Sequence, residues 1–297
     1  MAEEVSTTQF DKWLSIGGRI IAPTTAVTTL LFYFGYVSSR AQYDYFGVDV
    51  DTVGLTTQDY VMRSPQPLLV PMLVLTLVCA ALVAMHTAVR RRMSDGARFR
   101  RWFRRAVVVG LVLIGLGVVL LFAYPLVSTW AYYPLVTPLT FAAGGSLTGY
   151  GLTMLRRLTA APPATDSRHN DSSRAVIVLI WVAVVAGVFW ATATVAQWSG
   201  LGLGKEQARH LNELPSVILD TQERLFLPSG TGVEERVLDQ ASDQQTFRYR
   251  YWKLRLLIQG DDQMFLVPDT WSAGNTTLLV PLDDSVRVQF QFRNLAP

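Results

Sequence analysis

Apolar positions along this chain fall into two regimes. Up to about residue 198 they gather in long uncharged runs, and beyond it they alternate with polar residues. Twenty residues without a charge lie between Arg19 and Arg40, twenty-six between Arg63 and Arg90, and fifty from Ala106 to Leu155. About twenty apolar residues in a helix cross the hydrocarbon core of a bilayer. As one helix the fifty-residue run would reach roughly 75 Å, more than twice that thickness, so it must fold back. Pro125 and Pro134, which bracket Trp130, Tyr132 and Tyr133, mark the break. The pattern predicts five spans, at about 20–39, 67–89, 106–124, 135–155 and 175–198. The first is the least apolar, with Thr24, Thr25, Thr28 and Thr29, but helical threonines return their hydroxyls to backbone carbonyls. Pro23 near its start is tolerated, because the first turn makes no such bonds. Ahead of it, residues 1–19 predict a short interfacial helix with Phe10, Trp13 and Leu14 on one face.

After Ser199 and Gly200 the period changes. A short helix is expected over Lys205–Leu214, and then strands. Val286, Val288, Phe290 and Phe292 alternate with Arg287, Gln289, Gln291 and Arg293, as in a half-buried strand. Phe247, Tyr249 and Tyr251 alternate with Arg248 and Arg250, the phase slips at Trp252, and it resumes through Leu254, Leu256 and Ile258. That slip predicts a β-bulge. Gly260-Asp261-Asp262 turns the chain into Gln263–Val267, and Asp283-Asp284 joins Thr277–Leu282 to the last strand. With Ser216–Asp220 and Arg224–Leu227, about six strands fit an antiparallel sandwich or barrel. The expected fold is an all-α membrane bundle of five helices, residues 1–198, followed by a soluble all-β domain, residues 199–297.

Charge orients this arrangement. The segment 90–105 holds eight arginines (Arg90, Arg91, Arg92, Arg98, Arg100, Arg101, Arg104 and Arg105) against the single acid Asp95. Short loops rich in Arg and Lys stay on the cytoplasmic side. Arg156 and Arg157 close the fourth span, and Arg174 opens the fifth after a polar linker, 156–174, that reads as disordered. Loop 40–66 has the opposite balance, with Asp44, Asp49, Asp51 and Asp59 against Arg40 and Arg63, and is aromatic at Tyr43, Tyr45, Phe46 and Tyr60. Within it Thr56 and Asp59 spell a capping box for a brief helix ending before Pro65. Trp13, Trp130, Tyr132, Tyr133 and Trp198 suit the headgroup layer as interface anchors. The alternation places the N-terminus in the cytoplasm and residues 199–297 and loop 40–66 outside, in contact with one another.

Composition agrees with a membrane protein. Half the residues are hydrophobic and 16% are charged, against about 25% in ordinary soluble domains. Net charge is +3, with the basic excess beside the apolar runs, so the arginines read as lipid-facing and not as a nucleic-acid site. The β domain carries ten basic and thirteen acidic residues, unlike a nucleic-acid binder. The N-terminus is acidic where a secretory signal would be basic, so no cleavage is expected. Cys79 is the only cysteine, which leaves no disulfide framework.

Candidate chemistry is sparse. Gly145-Ser-Leu-Thr-Gly149 is a GxxxG in the fourth span and predicts close helix packing, within the chain or in a homo-oligomer. Gly144-Gly-Ser146 would need a histidine in a neighbouring span to act as a serine nucleophile. The spans hold only His86, near a membrane edge. Asp49-Val-Asp51-Thr-Val-Gly54 begins like a calcium loop, but Val53 and Tyr60 stand where oxygen ligands belong. The span interiors hold no Asp, Glu, Lys or Arg, which argues against ion-coupled transport. An oligomeric pore lined by Thr24, Thr28 or Ser146 stays open. Neither a Walker, a dinucleotide-binding, an HExxH nor a GxSxG sequence occurs, so no catalytic residue, cofactor or metal is assigned.

Tyr33-Phe-Gly35-Tyr, Tyr45-Phe46-Gly47-Val-Asp49 and Thr57-Gln-Asp59-Tyr60-Val-Met-Arg63-Ser together resemble multi-pass membrane proteins of actinobacterial type. The resemblance implies a bacterial cell membrane and no activity. The sequence thus points to a non-enzymatic membrane protein presenting an extracytoplasmic β domain to a ligand, partner protein or envelope component. The alternative is an oligomeric channel or pore-forming membrane effector.

Overall fold

The computed structural model describes residues 3–91, 96–159, 167–228, 230–239, 246–272 and 274–291, with the backbone alone for 3–22, 96–98, 159 and 167–174. Its helices are α1 (Glu3–Asp44), α2 (Val50–Val53), α3 (Thr57–Arg63), α4 (Pro65–Arg91), α5 (Gly96–Phe122), α6 (Tyr124–Val127), α7 (Tyr133–Thr159) and α8 (Ser167–Arg209). A 3-10 turn, Leu211–Glu213, leads into strands β1 (Ser216–Thr221), β2 (Glu234–Val237), β3 (Tyr249–Gln259), β4 (Gln263–Pro268), β5 (Leu278–Pro281) and β6 (Val286–Gln291). Among the described residues three helices are long and apolar enough to cross a membrane: Pro65–Arg91, Phe99–Phe122 and Ala175–Arg209. The expected five-helix bundle is met in that part only. Spans 20–39 and 135–155 do fall inside helices α1 and α7. The threonines of the first, and the glycines and threonines of the second, dilute their apolar character.

Several expected breaks are absent. The interfacial helix and first span are one helix, α1, that passes through Pro23. Likewise α8 continues beyond Trp198 to Arg209, taking up most of the separate helix expected at 205–214. The expected boundary at 198/199 marks a change of residue pattern, whereas compactness divides the chain into residues 68–195 and a unit made of 1–67 with 196–297.

In the unit 68–195 the fold-back is where the prolines put it, since α5 stops at Phe122 and α7 starts at Tyr133. The last carbonyls of a helix have no partner within it. Tyr133, expected as an interface anchor, is instead buried and donates its hydroxyl to one of them, Leu120 O, at 3.0 Å. Pro138 lacks the N–H that would bond Pro134 O. The hydroxyl of Thr194 on α8 lies 3.1 Å from that carbonyl and from Trp190 O of its own helix, and shares its one proton between them. Gly145 and Gly149 face α8: a Cβ at Gly145 would lie 2.6 Å from Val184 Cγ2, and one at Gly149 3.3 Å from Ile180 Cγ2. The GxxxG therefore serves packing inside the chain.

The other unit holds the sheet, which is one six-stranded antiparallel layer in the order β5-β4-β3-β1-β6, with β2 also on β3. This corrects the sandwich or barrel: both faces of one sheet are covered, one by loops and one by helices. Leu219 faces Tyr251 and Val217 faces Leu254, so β3 has an extra residue in this interval, and Lys253 within it has φ 63°. The bulge is thus where the phase slip at Trp252 placed it. A second irregularity, between Leu256 and Ile258, turns both Leu257 and Ile258 into the helix-covered core. The strand expected at Arg224–Leu227 is a loop, and β2 takes its place. Phe226 has φ 47°, which breaks an extended run. Leu225 N–H donates to the hydroxyl of buried Tyr251 at 2.9 Å, and Leu227 packs on the core with Val217, Leu219 and Leu254.

Candidate functional site

Two places gather the aromatic and charged side chains that the sequence singled out. The first lies where the chain after α1 meets the sheet. Thr56 caps α3 as a full box: Asp59 N–H donates to Thr56 Oγ1 at 3.3 Å, and Thr56 N–H to Asp59 Oδ2 at 2.8 Å. The Thr56 hydroxyl, which donates to Asp59 Oδ2 at 2.7 Å, and then the Thr56 N–H hold the Asp59 carboxyl below the usual carboxylate range. Asp49 caps α2 by accepting from Asp51 N–H at 3.2 Å, and Gly54 ends it at φ 78°, a left-handed C-cap. The acidic run that began like a calcium loop is therefore a capped turn, and among the described residues no group of three His, Cys, Asp or Glu is placed to hold a metal.

The end of α1 with Tyr43, the turn after it with Phe46 and Val48, and the two short helices with Val50, Val53 and Tyr60 pack on Leu257, Ile258, Phe265 and Val267 of the sheet, forming one core. Phe46 meets Trp271 edge-on with ring centroids 5.0 Å apart, and Thr277 donates to Phe46 O at 2.6 Å. Gln263 Nε2 also donates to Thr52 O. The expected contact between loop 40–66 and the β domain is thus present. Sequence reading missed how the ends of α1 and α8 join it. A Cβ at Gly200 would collide with Ser38 O, one at Gly204 would lie 2.7 Å from Gln42 O, and Gln42 Nε2 donates to Gln207 Oε1 at 2.8 Å. Gly200 and Gly204 are a second GxxxG, visible as a spacing but taken for the end of a span.

Across the sheet, Asp220 of β1 stands between Arg250 of β3 and Arg287 of β6 in direct register. Arg250 donates to its two oxygens at 2.7 and 3.0 Å, and Arg287 donates to Oδ2. Burial by itself would raise the Asp220 carboxyl, but the two guanidinium groups outweigh it and hold it below the usual range. At the end of the sheet, β6 has no strand on its outer side among the described residues, and Phe290 on it is 55% exposed.

The second place is the arginine segment, in the other unit. Arg90 and Arg91 end α4, and Arg100, Arg101, Arg104 and Arg105 are exposed on the first turns of α5. Arg98 is on the backbone of α5, and Arg92 lies outside the described residues. Arg156 and Arg157 end α7, while Arg174 lies on the backbone of α8 and Trp13 on that of α1. Trp130 and Tyr132 are exposed in the turn before α7, and Trp198 is half-buried. Between α4 and α5 lies a groove of about 630 Å³, walled by Met85, Ala88, Val89 and Phe99, with Arg101, Trp102 and Arg105 along it. Its walls are fixed from behind. Phe103 is fully buried against Tyr150 of α7, and the Tyr150 hydroxyl lies 3.0 Å from His86 Nδ1 of α4.

Comparison with protein-family profiles, with characterised proteins and with solved structures finds no match to this chain. The functional reading therefore rests on these two places.

Proposed function

We propose that the chain is a five-pass protein of a bacterial cell membrane that binds a partner or envelope component through a module outside the cytoplasm, without catalysis. In this reading α1 and α7 cross as well as the three more apolar helices, which leaves the N-terminus and the arginine segment inside. Apolar side chains support the lipid setting. Leu69, Val70, Leu73, Leu77 and Val83 of α4 and Val108, Leu111, Val112 and Val119 of α5 are all exposed, in a quantity that water does not tolerate in one patch. The observation that carries the binding role is the open edge at β6, which is six residues long, whereas the other outer strand, β5, has four and ends on Pro281, which has no N–H to offer. An unpaired strand presents free N–H and C=O groups to another chain, and Phe290 adds an apolar anchor beside them.

Reporter fusions after residues 40, 97, 165 and 297 test the topology, with activity outside expected only at 40 and 297. A photo-crosslinking side chain at Phe290 should capture a discrete envelope partner, while the same group at exposed Leu279 on β5 should not. Equal yields at both positions would remove the β6 edge from the reading.

A second reading, an oligomeric channel, draws on Thr24, Thr25, Thr28 and Thr29, which with Phe32 and Thr57 line a groove of about 360 Å³. Hydroxyls line water without carrying charge. Liposomes holding the purified protein would conduct ions under this reading, and Thr24→Val with Thr28→Val would lower the conductance.

A further inference from the structure

The α4–α5 groove joins two features that one ligand class satisfies together. Arg101 and Arg105 are four residues apart, so they share one face of α5, with side chains about 5–6 Å apart at their bases. Among the described residues neither has a carboxylate within ion-pair distance. A pair of guanidinium groups at that spacing suits one phosphate, whose oxygens accept bidentate bonds. Beside them the groove is apolar, through Met85, Val89 and Trp102. Both walls belong to helices apolar enough to cross a membrane, and the arginines stand at their ends. The volume, about 630 Å³, lies within the range of small-molecule sites.

We propose that this groove holds one anionic phospholipid, its phosphate on Arg101 and Arg105 and the upper part of its acyl chains along Met85, Val89 and Trp102. A basic cleft between spans on the cytoplasmic side is the setting in which such headgroups are retained. The packing of Phe103 on Tyr150, and the Tyr150–His86 contact, make the cleft a built feature, distinct from the general attraction of the arginine segment. This inference rests on the membrane reading of α4 and α5, and the test separates the two.

Full-length protein purified in non-ionic detergent would be titrated with dioleoyl phosphatidylglycerol or dioleoyl phosphatidylcholine and read by native mass spectrometry. The expected result is one phosphatidylglycerol bound at a concentration at least tenfold below that needed for phosphatidylcholine. Arg101→Gln with Arg105→Gln should erase the preference. Arg100→Gln with Arg104→Gln, which removes the same charge from the same turns outside the groove, should keep it. Equal loss in both double variants would mean diffuse attraction and overturn the site. Displacement of the lipid by millimolar inorganic phosphate would overturn the lipid as its ligand. If the protein needs detergent yet shows no lipid preference, only this inference fails; recovery without detergent would sink the membrane reading itself.

Discussion

At the scale of single residues, Asp220 shows how burial and charge settle against each other. Its side chain is 0% exposed, whereas those of Arg250 and Arg287 are 32% and 48% exposed. Only one of the three groups has given up water completely, and it does so for bidentate, charge-assisted bonds. Asp220→Asn removes that charge complementarity and should lower stability by about 2–3 kcal/mol, because hydrogen bonds to charged groups are at stake. The sign with pH follows from a folded carboxyl held below its ordinary value of about 3.9. Its contribution is complete above that value and fades as pH falls through the lower folded one. Thermal midpoints of wild type and Asp220→Asn should therefore differ at pH 7 and converge in strong acid; a gap that persists there would contradict the assignment. Lys253 gives a second, opposite case. Its φ of 63° costs about 1–2 kcal/mol for a residue with a Cβ, and its pair with Glu234 is exposed on both sides, where water screens it. Lys253→Gly should leave the melting temperature unchanged or raised, and Lys253→Val should lower it.

Elements in this chain begin and end by local chemistry, with tertiary groups completing what the local rules leave open. The α3 start is a local device. Thr56→Ala should cost about 1 kcal/mol, as N-cap losses do, and should speed amide exchange at Gln58 and Asp59 first. Unchanged exchange there would mean that packing of Tyr60, not the cap, holds the turn. In α7 the opposite holds. Pro138 leaves the Pro134 carbonyl without its usual N–H, and a threonine hydroxyl on α8 comes within hydrogen-bond distance of it. Thr194→Val keeps the shape and removes that donor. It should weaken α7–α8 packing by about 0.6–2 kcal/mol, read as easier proteolysis within 133–159 in detergent. The bulge in β3 was visible as a phase slip because hydrophobic side chains record which face each residue takes. The second irregularity was not, since Leu256, Leu257 and Ile258 are all apolar and carry no phase.

For the whole chain, the useful distinction is between a module that is tethered and one that is shared. Residues 43–60 and the sheet bury each other, so neither half of that core exists alone. Phe46→Ala should cost about 3–5 kcal/mol, as large buried aromatic truncations do, and should expose the sheet to protease. A fragment of residues 211–297 should bind hydrophobic dyes and self-associate, having lost the cover over Leu257, Ile258, Phe265 and Val267. A monomeric fragment with a cooperative melt would disprove the shared core.

Sequence alone determined what depends on neighbours along the chain. Proline and aromatic positions gave the turn between α5 and α7, Thr56 and Asp59 gave a helix start, and alternation with turn residues gave five strands of the sheet near their actual bounds. Arginine placement gave a topology that awaits the fusions. Only tertiary structure decided what depends on partners distant in the chain. Nothing local distinguishes a single sheet with helices on one face from two packed sheets, because both bury the same alternate residues. Tyr133 reads as an interface residue until the orphan carbonyl of Leu120 is seen beside it, and Gly200 reads as a helix end until Ser38 occupies the space of its missing Cβ. The pairing of Arg101 and Arg105 across from Met85 and Val89 is of the same kind: two helix ends carry the residues, and folding alone makes them one groove.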